Sequence, residues 1–525
     1  PRASAGSAAR TRPPATQPVE EADPANDEEQ DPGRLTDMRG MAPARSAADG
    51  VDAADDGDAD PDVGDGVRRQ AARRPADGDL AAREPQAPQD GILPAEQPQV
   101  SIDGELDAAD QMALDDADVE ESLRERERPG RPIERPRRFG PYQPVGVRVG
   151  SFILFPMAEA GVSGSDNIFR SAASRKSDMF ADATAGGTLT SNWRRHAFEL
   201  RVQHARTLHR DFTTENDNRL DASARGRIDV SRRSNVAGEL AYSYGQEARG
   251  AVNTPTAATG ERPAVIQRRA GVEVNHRLNR LSLQLRGAVT ENNYATVPPS
   301  PDPLAGLTST LSDGNDRNYV QREIGARAGW QFNPNLQLYA DVVLNNRVHE
   351  AANGSDGMAR NSEGYRAQAG IAFDKRGTLQ GEVSAGHASQ TPDDARLKTV
   401  SGFIYNGKLG WRPTGLTEVD VTAASDVGET TVAGSAGALT RQTGVEVRHA
   451  LRRHIILVAG ASYAVANYGG SSLRETSVVE RLGLEYYLSR EMALLAGYQH
   501  TRFDAGGAAK GYEDNTVRVG VRVKR

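Results

Sequence analysis

The chain contains no cysteine, which removes disulfide frameworks, thiol nucleophiles and cysteine-ligated zinc together. Many envelope proteins also do without cysteine, so the periplasm stays open as a compartment. There is no run of 18 or more apolar residues, and the best stretch, Ile455-Ile-Leu-Val-Ala-Gly-Ala461, is far too short for a spanning helix. Aromatic residues are only 5% of the chain, and none precedes Phe139. Residues 1–140 carry 33 acidic and 18 basic side chains, a net −15, so the remainder must be +7 for the whole to reach −8. A segment without aromatics and rich in Pro, Ala and Asp cannot bury enough apolar surface to offset the ordering of its backbone. Residues 1–140 therefore read as a disordered acidic extension, and 141–525 as the folded part.

The folded part has period-two alternation. In Leu281-Ser-Leu-Gln-Leu-Arg-Gly-Ala-Val289 one row holds Leu281, Leu283, Leu285 and Val289, and the other holds Ser282, Gln284, Arg286 and Ala288. The same pattern runs through Phe198–Val202, Leu220–Val230, Val236–Tyr244, Ile324–Phe332, Tyr365–Phe373 and Val517–Val523. A helix would need its apolar residues at every third or fourth position, and these segments fail that test.

Short turns punctuate the series: 193–196, 231–234, 277–280, 333–335, 374–377, 412–415, 451–454 and 489–491, most carrying arginine. They stand roughly 37 to 56 residues apart, about one long hairpin plus its outer loop. Longer polar loops fall between them, at 163–178, 209–218, 246–264, 292–318, 347–362, 388–399, 426–440, 467–475 and 503–513.

The count is 18 strands in nine hairpins, with 16 as the alternative. Short turns on one rim and long loops on the other are the mark of a closed antiparallel up-and-down transmembrane barrel in an outer membrane. On that reading residues 1–140, the chain ends and the short turns lie in the periplasm, and the long loops are extracellular. A mean hydropathy of −0.61 does not oppose this, because only alternate strand residues meet lipid. All three tryptophans, Trp193, Trp330 and Trp411, sit beside short turns, with Tyr486 and Tyr487 near another. Tyr294, Tyr319, Tyr365, Tyr468, Tyr498, Phe503 and Tyr512 stand near the long-loop ends, as expected of two interfacial girdles.

The opening of the barrel, Val145-Gly-Val-Arg-Val-Gly-Ser-Phe-Ile-Leu-Phe-Pro-Met157 followed by Gly164-Ser-Asp-Asn-Ile-Phe169, resembles a family of outer-membrane β-barrel porins of Gram-negative bacteria, the type 2 β-barrel porins. That family pairs a Gly-x-Phe-x-Leu-x-Pro strand with an Asp-Asn pair in the first outer loop. The resemblance covers about 145–525 and implies outer-membrane residence, contact with membrane lipid and folding by the barrel-assembly machinery. For some related barrels it also implies a link to export of surface polysaccharide. It brings no catalytic residues. The final residues, Val521-Arg-Val-Lys-Arg525, depart from the terminal aromatic that such barrels commonly show.

In a barrel of this size inward side chains do not fill the interior, so an aqueous channel is the physical default. Alternation places Arg201, Arg225, Arg227, Arg286, Arg327, Arg366, Arg448, Arg518 and Arg522 on the lumen side. Glu199, Asp221, Asp229, Glu239, Glu273, Glu323, Asp341, Glu382 and Glu446 join them. Mixed signs argue for weak ion selectivity or for recognition of sugar hydroxyls. The plainer reading is that these residues solvate the wall and pair across strands. The 292–318 loop, the longest and carrying Pro298, Pro299 and Pro301, is a candidate constriction.

Other chemistry is thin. His196, His454 and His500 stand in separate strands or turns without ligand spacing, and no Ser/His/acid set falls into register. Asp56-Gly-Asp-Ala-Asp-Pro-Asp-Val-Gly-Asp65 has Pro61 where a calcium loop needs glycine, and no closing glutamate. No phosphate-binding or dinucleotide fingerprint is present, so no enzyme, metal, cofactor or nucleic-acid partner is expected. Residues 106–121 are a candidate short acidic helix with a thin apolar stripe. Arg124 to Arg138 form a basic collar before the barrel, read as a solvated linker or as contact with an anionic polymer, a partner or the barrel mouth. The expected function is passage or export of polar solutes such as oligosaccharides. The competing classes are a non-transport scaffold that works through its loops, and a soluble β-rich protein.

Overall fold

A computed structural model describes residues 142–172, 174–247, 262–295, 317–354, 357–375, 377–430, 432, 434–506 and 511–525. The acidic extension, the 106–121 helix, the basic collar and most of the 292–318 loop lie outside those residues. A three-residue strand, β1 (Val147–Val149), precedes eighteen long ones. These are β2 (Phe152–Ser165), β3 (Asp178–Ser191), β4 (Ala197–His209), β5 (Asp217–Asp229), β6 (Ser234–Gln246) and β7 (Ala264–Leu278). They continue as β8 (Leu281–Ala295), β9 (Tyr319–Asn333), β10 (Leu336–His349), β11 (Ser362–Lys375), β12 (Leu379–Pro392) and β13 (Val400–Thr414). The last six are β14 (Thr417–Gly428), β15 (Ala438–Arg452), β16 (Ile455–Tyr468), β17 (Arg474–Tyr487), β18 (Met492–Asp504) and β19 (Tyr512–Lys524).

Each long strand pairs antiparallel with its neighbours in sequence, and β19 closes on β2 from Thr516↔Ser165 to Lys524↔Met157. The barrel is closed, with 18 strands rather than 16. All eight expected short turns connect paired strands on one rim. One of the two-residue turns, Asn279-Arg280 between Leu278 and Leu281, puts Asn279 at a φ of 52°, a left-handed conformation that asparagine tolerates.

The apolar row faces out. Leu240 and Leu482 are 62% and 61% exposed although they sit in the middle of paired strands, which suits hydrocarbon rather than water. On β8 the outward row is Leu281, Leu283, Leu285 and Val289, and then turns polar at Glu291, which meets Arg268 of β7 at 3.3 Å. Leu281 lies opposite Trp330 at the short-turn rim. The apolar band thus spans about ten residues, the 9–11 that a tilted strand needs to cross a membrane. The strands themselves run 12 to 15 residues, so the surplus projects beyond the band on the long-loop side.

Parity also sorts the aromatics. Trp193, Trp330, Trp411 and Tyr486 are exposed on the outside at the short-turn rim, and Tyr365 and Tyr498 are exposed outside nearer the long loops. Tyr294, Tyr319, Tyr468, Phe503 and Tyr512 share the register of the inward row instead. Phe503 and Tyr512 stack there at 5.2 Å, and Arg317 lies 4.0 Å over Tyr294. Nearness to a loop placed these five in a girdle; the two-residue period turns them inward.

The closure seam explains the proline of the opening motif. One edge of β2 pairs with β3 along its whole length. The other edge is shared, with Met157 to Ser165 on β19 and Phe152 to Leu154 on β1. Pro156 falls in the gap, and its carbonyl accepts the backbone N–H of Arg525. A strand residue aims its N–H and C=O to the same side, so the N–H that proline lacks would have pointed at this gap and no ladder bond is lost. Just before β1 the chain turns at Gly146, with φ of 75°. Tyr142 then stacks on the inward Tyr487 at 4.9 Å.

Candidate functional site: the lumen wall

The inward row of a barrel this wide needs polar groups that satisfy one another, because its side chains do not fill the interior. All eighteen charged residues expected on the lumen side occupy that row, each out of phase with the exposed apolar positions of its own strand. All but Glu273 enter ion pairs, many of which skip a strand. Arg286 of β8 reaches over β9 to bind Asp341 of β10 through two N–H···O bonds of 2.8 and 2.7 Å. Gly325 on β9 makes that crossing feasible, since a Cβ there would fall 2.9 Å from Arg286 Nε. Arg327 of β9 lies 3.5 Å above the ring of Tyr339 on β10 and donates to Glu382 of β12 at 2.6 Å. A guanidinium flat on an aromatic face gains cation–π attraction while its edge stays free for a carboxylate.

Two longer chains run round the wall. In the first, Arg448 of β15 binds Glu485 of β17 at 3.1 Å, and Glu485 takes Arg522 of β19 at 3.3 Å. Arg522 also donates to Glu159 of β2 at 2.8 Å, and Arg518 bridges Glu159 and Asp182 of β3 at 2.5 Å each. This chain ties both sides of the closure seam together. In the second, Glu323 of β9 lies between Arg269 of β7 at 3.6 Å and Arg366 of β11 at 3.2 Å, and Arg366 extends to Asp426 of β14 at 3.4 Å.

Local pairs complete the set: Arg225–Glu239 at 3.5 Å, Arg227–Asp229 at 3.2 Å, Arg201–Glu199 at 3.3 Å and Arg448–Glu446 at 3.7 Å. Asp221 takes Arg219 at 2.8 Å, and Glu273 accepts the amide of Asn275. Most of these side chains are under one third exposed, so their charges are felt locally and largely cancelled before they reach the lumen centre.

Sequence reasoning missed Glu159, Asp182, Arg269, Asp426 and Glu485. Asp182 lies among small residues in Asp178-Met-Phe-Ala-Asp-Ala-Thr-Ala-Gly-Gly-Thr188, where no apolar row declares the parity. Carrying the register across from a neighbouring strand would have found it.

Outside the membrane band, the loop after β12 braces the loop before β11. Asp394 accepts the backbone N–H of Ala359 at 3.2 Å, and Arg396 donates to the Gly357 carbonyl at 2.9 Å. The Arg396 guanidinium beside Asp394 holds its carboxyl well below the usual carboxylate range, so the brace stays charged in mildly acid solution.

Among solved structures the chain is similar to the copper transporter OprC, at 11% identity over 72% of this chain and 81% of that one, with a TM-score of 0.41. It is similar to outer membrane protein opdK from Pseudomonas aeruginosa, at 13% over 71% and 98%, with a TM-score of 0.37. A BenF-like porin from Pseudomonas fluorescens Pf-5 matches at 10% over 72% and 100%, with a TM-score of 0.38. No curated protein matches. Residues 140–525, the whole barrel, match the family described as "Putative beta-barrel porin 2", and the chain belongs to that family of outer-membrane barrels.

Proposed function

We propose that the barrel is a passive channel for small polar solutes, with neutral polyhydroxylated molecules such as oligosaccharides as the favoured class. Its short-turn rim faces the periplasm and its long loops face outward, with membrane lipid around it and the barrel-assembly machinery as its folding partner. The observation that carries this reading is the inward wall of arginines and carboxylates matched pair by pair, from Arg448 through the seam to Asp182. Such a lining offers donors and acceptors at every height but little net field, which suits hydroxyl groups better than ions of one sign. A link to export of surface polysaccharide belongs to the same proposal and rests on the family resemblance.

Reconstitution into planar bilayers tests it. The expected result is a steady current that reverses close to zero potential under a KCl gradient and is interrupted by neutral oligosaccharides. A folded barrel that stays silent would leave the scaffold reading in its place. Replacing Arg286 and Arg327 together by glutamine strips the partners from Asp341 and Glu382. That variant should shift selectivity toward cations by about twofold, as a wall of one net sign should. An unmoved reversal potential would show that the lining does not set selectivity.

A further inference from the structure

The ladder between β13 and β14 is incomplete. It holds from Trp411↔Val419 to Gly407↔Ala423 and stops there, although β13 reaches Val400 and β14 reaches Gly428. Beyond that point β14 stays with β15, from Ala424↔Gln442 to Gly428↔Ala438, and β15 stays with β16. The wall is split between β13 and β14 at this end, and the freed β14 edge of the hairpin has gone inward. Val427 and Leu439 pack with Ala388 and Ile404, which belong to the inward rows of β12 and β13. Gly402 permits this, because a Cβ there would lie 2.7 Å from Leu439 Cδ2.

Two guanidiniums hold the displaced tip. Arg347 of β10 donates Nη2 to the Val427 carbonyl. Arg360, two residues before β11, donates Nη1 to the carbonyls of Thr430 at 2.5 Å and Ser435 at 2.9 Å. β10 stands four inter-strand spacings from β14, roughly 19 Å along the wall. No arginine spans that distance, so the tip must lie over the lumen face to be reached.

The abandoned ladder is replaced by side chains at fixed positions. Ser425 Oγ accepts the Tyr405 N–H at 3.0 Å and donates to its carbonyl at 2.8 Å. Arg441 donates to the Phe403 carbonyl at 3.0 and 2.8 Å. A strand pair that forgoes backbone bonds needs such substitutes, because an unmet buried carbonyl is costly. Their presence marks the inward fold as a designed position.

We infer that the inward tip of the β14–β15 hairpin is the size-selecting constriction of the lumen, held by Arg347 and Arg360 as positioning residues. This rests on the channel reading above. Charge-assisted bonds to three carbonyls fix the tip in one place, so the aperture has a defined cut-off.

Absence of cysteine makes a clean reporter available. Ser384, on the inward row of β12 four residues nearer the short-turn rim than Ala388, is replaced by cysteine in the full chain. Labelling by maleimides of graded size is then followed with and without the pair Arg347→Ala and Arg360→Ala, alongside bilayer conductance. The paired variant should conduct about twofold more and admit larger reagents to position 384, as a widened constriction must. Equal conductance and equal labelling in a barrel that still shows the heat-dependent gel shift of a folded one would overturn the inference. If the paired variant does not fold, shortening 430–436 to two glycines cuts back the tip that the Thr430 and Ser435 carbonyls anchor, and should open the lumen in the same way. Labelling does not depend on current. Faster labelling in a barrel that never conducts would sink the channel reading and leave the constriction standing.

Discussion

Leu285→Arg should destabilise the barrel by about 2–4 kcal/mol, the cost of an arginine facing lipid near the bilayer midplane. Leu285 is outward and 55% exposed. It stands midway between Leu281, opposite Trp330 at one edge of the apolar band, and Glu291, paired with Arg268 at the other. The matching inward change, Ala288→Arg, places the same side chain opposite Glu323, where water and a carboxylate receive it. It should cost less than about 1 kcal/mol, the ordinary scale of an exposed ion pair or surface change. Equilibrium unfolding in urea with lipid vesicles measures both. Equal costs at 285 and 288 would mean that the two rows do not face different solvents, and the membrane assignment would fall with them.

Arg522→Met should cost nearly as much, about 3 kcal/mol, the lower end for breaking a buried ion pair from one side. Arg522, Glu159 and Glu485 are each under a tenth exposed, and Arg522 joins the two carboxylates across the β17–β19–β2 seam. Each carboxylate keeps another arginine, Arg518 for Glu159 and Arg448 for Glu485, and Glu485 also keeps the Tyr487 hydroxyl at 2.9 Å, which is why the upper end of that range is not expected. Arg522→Lys keeps the charge but loses the forked geometry that serves two acceptors, and should recover only part of the loss. The temperature at which the folded gel band disappears reports the order wild type, lysine, methionine. A methionine variant as heat-resistant as the wild type would show that the seam is closed by its backbone ladder alone.

The alternation Leu281-Ser-Leu-Gln-Leu-Arg286 states its own outcome, because a strand's two faces differ by one residue and nothing distant can change that. The inward parity of the eighteen charged residues, the eight short turns and the strand number were legible for this reason, and the Gly-x-Phe-x-Leu-x-Pro opening pointed to the family. Nearness to a rim does not fix the face of an aromatic ring: Tyr294, Tyr319, Tyr468, Tyr487, Phe503 and Tyr512 face inward, against the girdle expectation, because the two-residue period decides. Strand ends also ran past their apolar band, since β-pairing continues outside the membrane where hydropathy carries no signal.

What is local to a strand, its face, its length and its turn, was thus determined by the amino-acid sequence alone. Which charges meet was decided only by the tertiary structure. Arg286 finds Asp341 because β9 offers a glycine at the crossing, and Glu159 finds Arg522, 363 positions later, because β19 closes on β2. The inward tip of β14 and β15 belongs to the same class. It depends on Arg347 of β10 and Arg360 beside β11, strands away from β14 along the wall, and these side chains reach the tip only because the sheet curves into a cylinder.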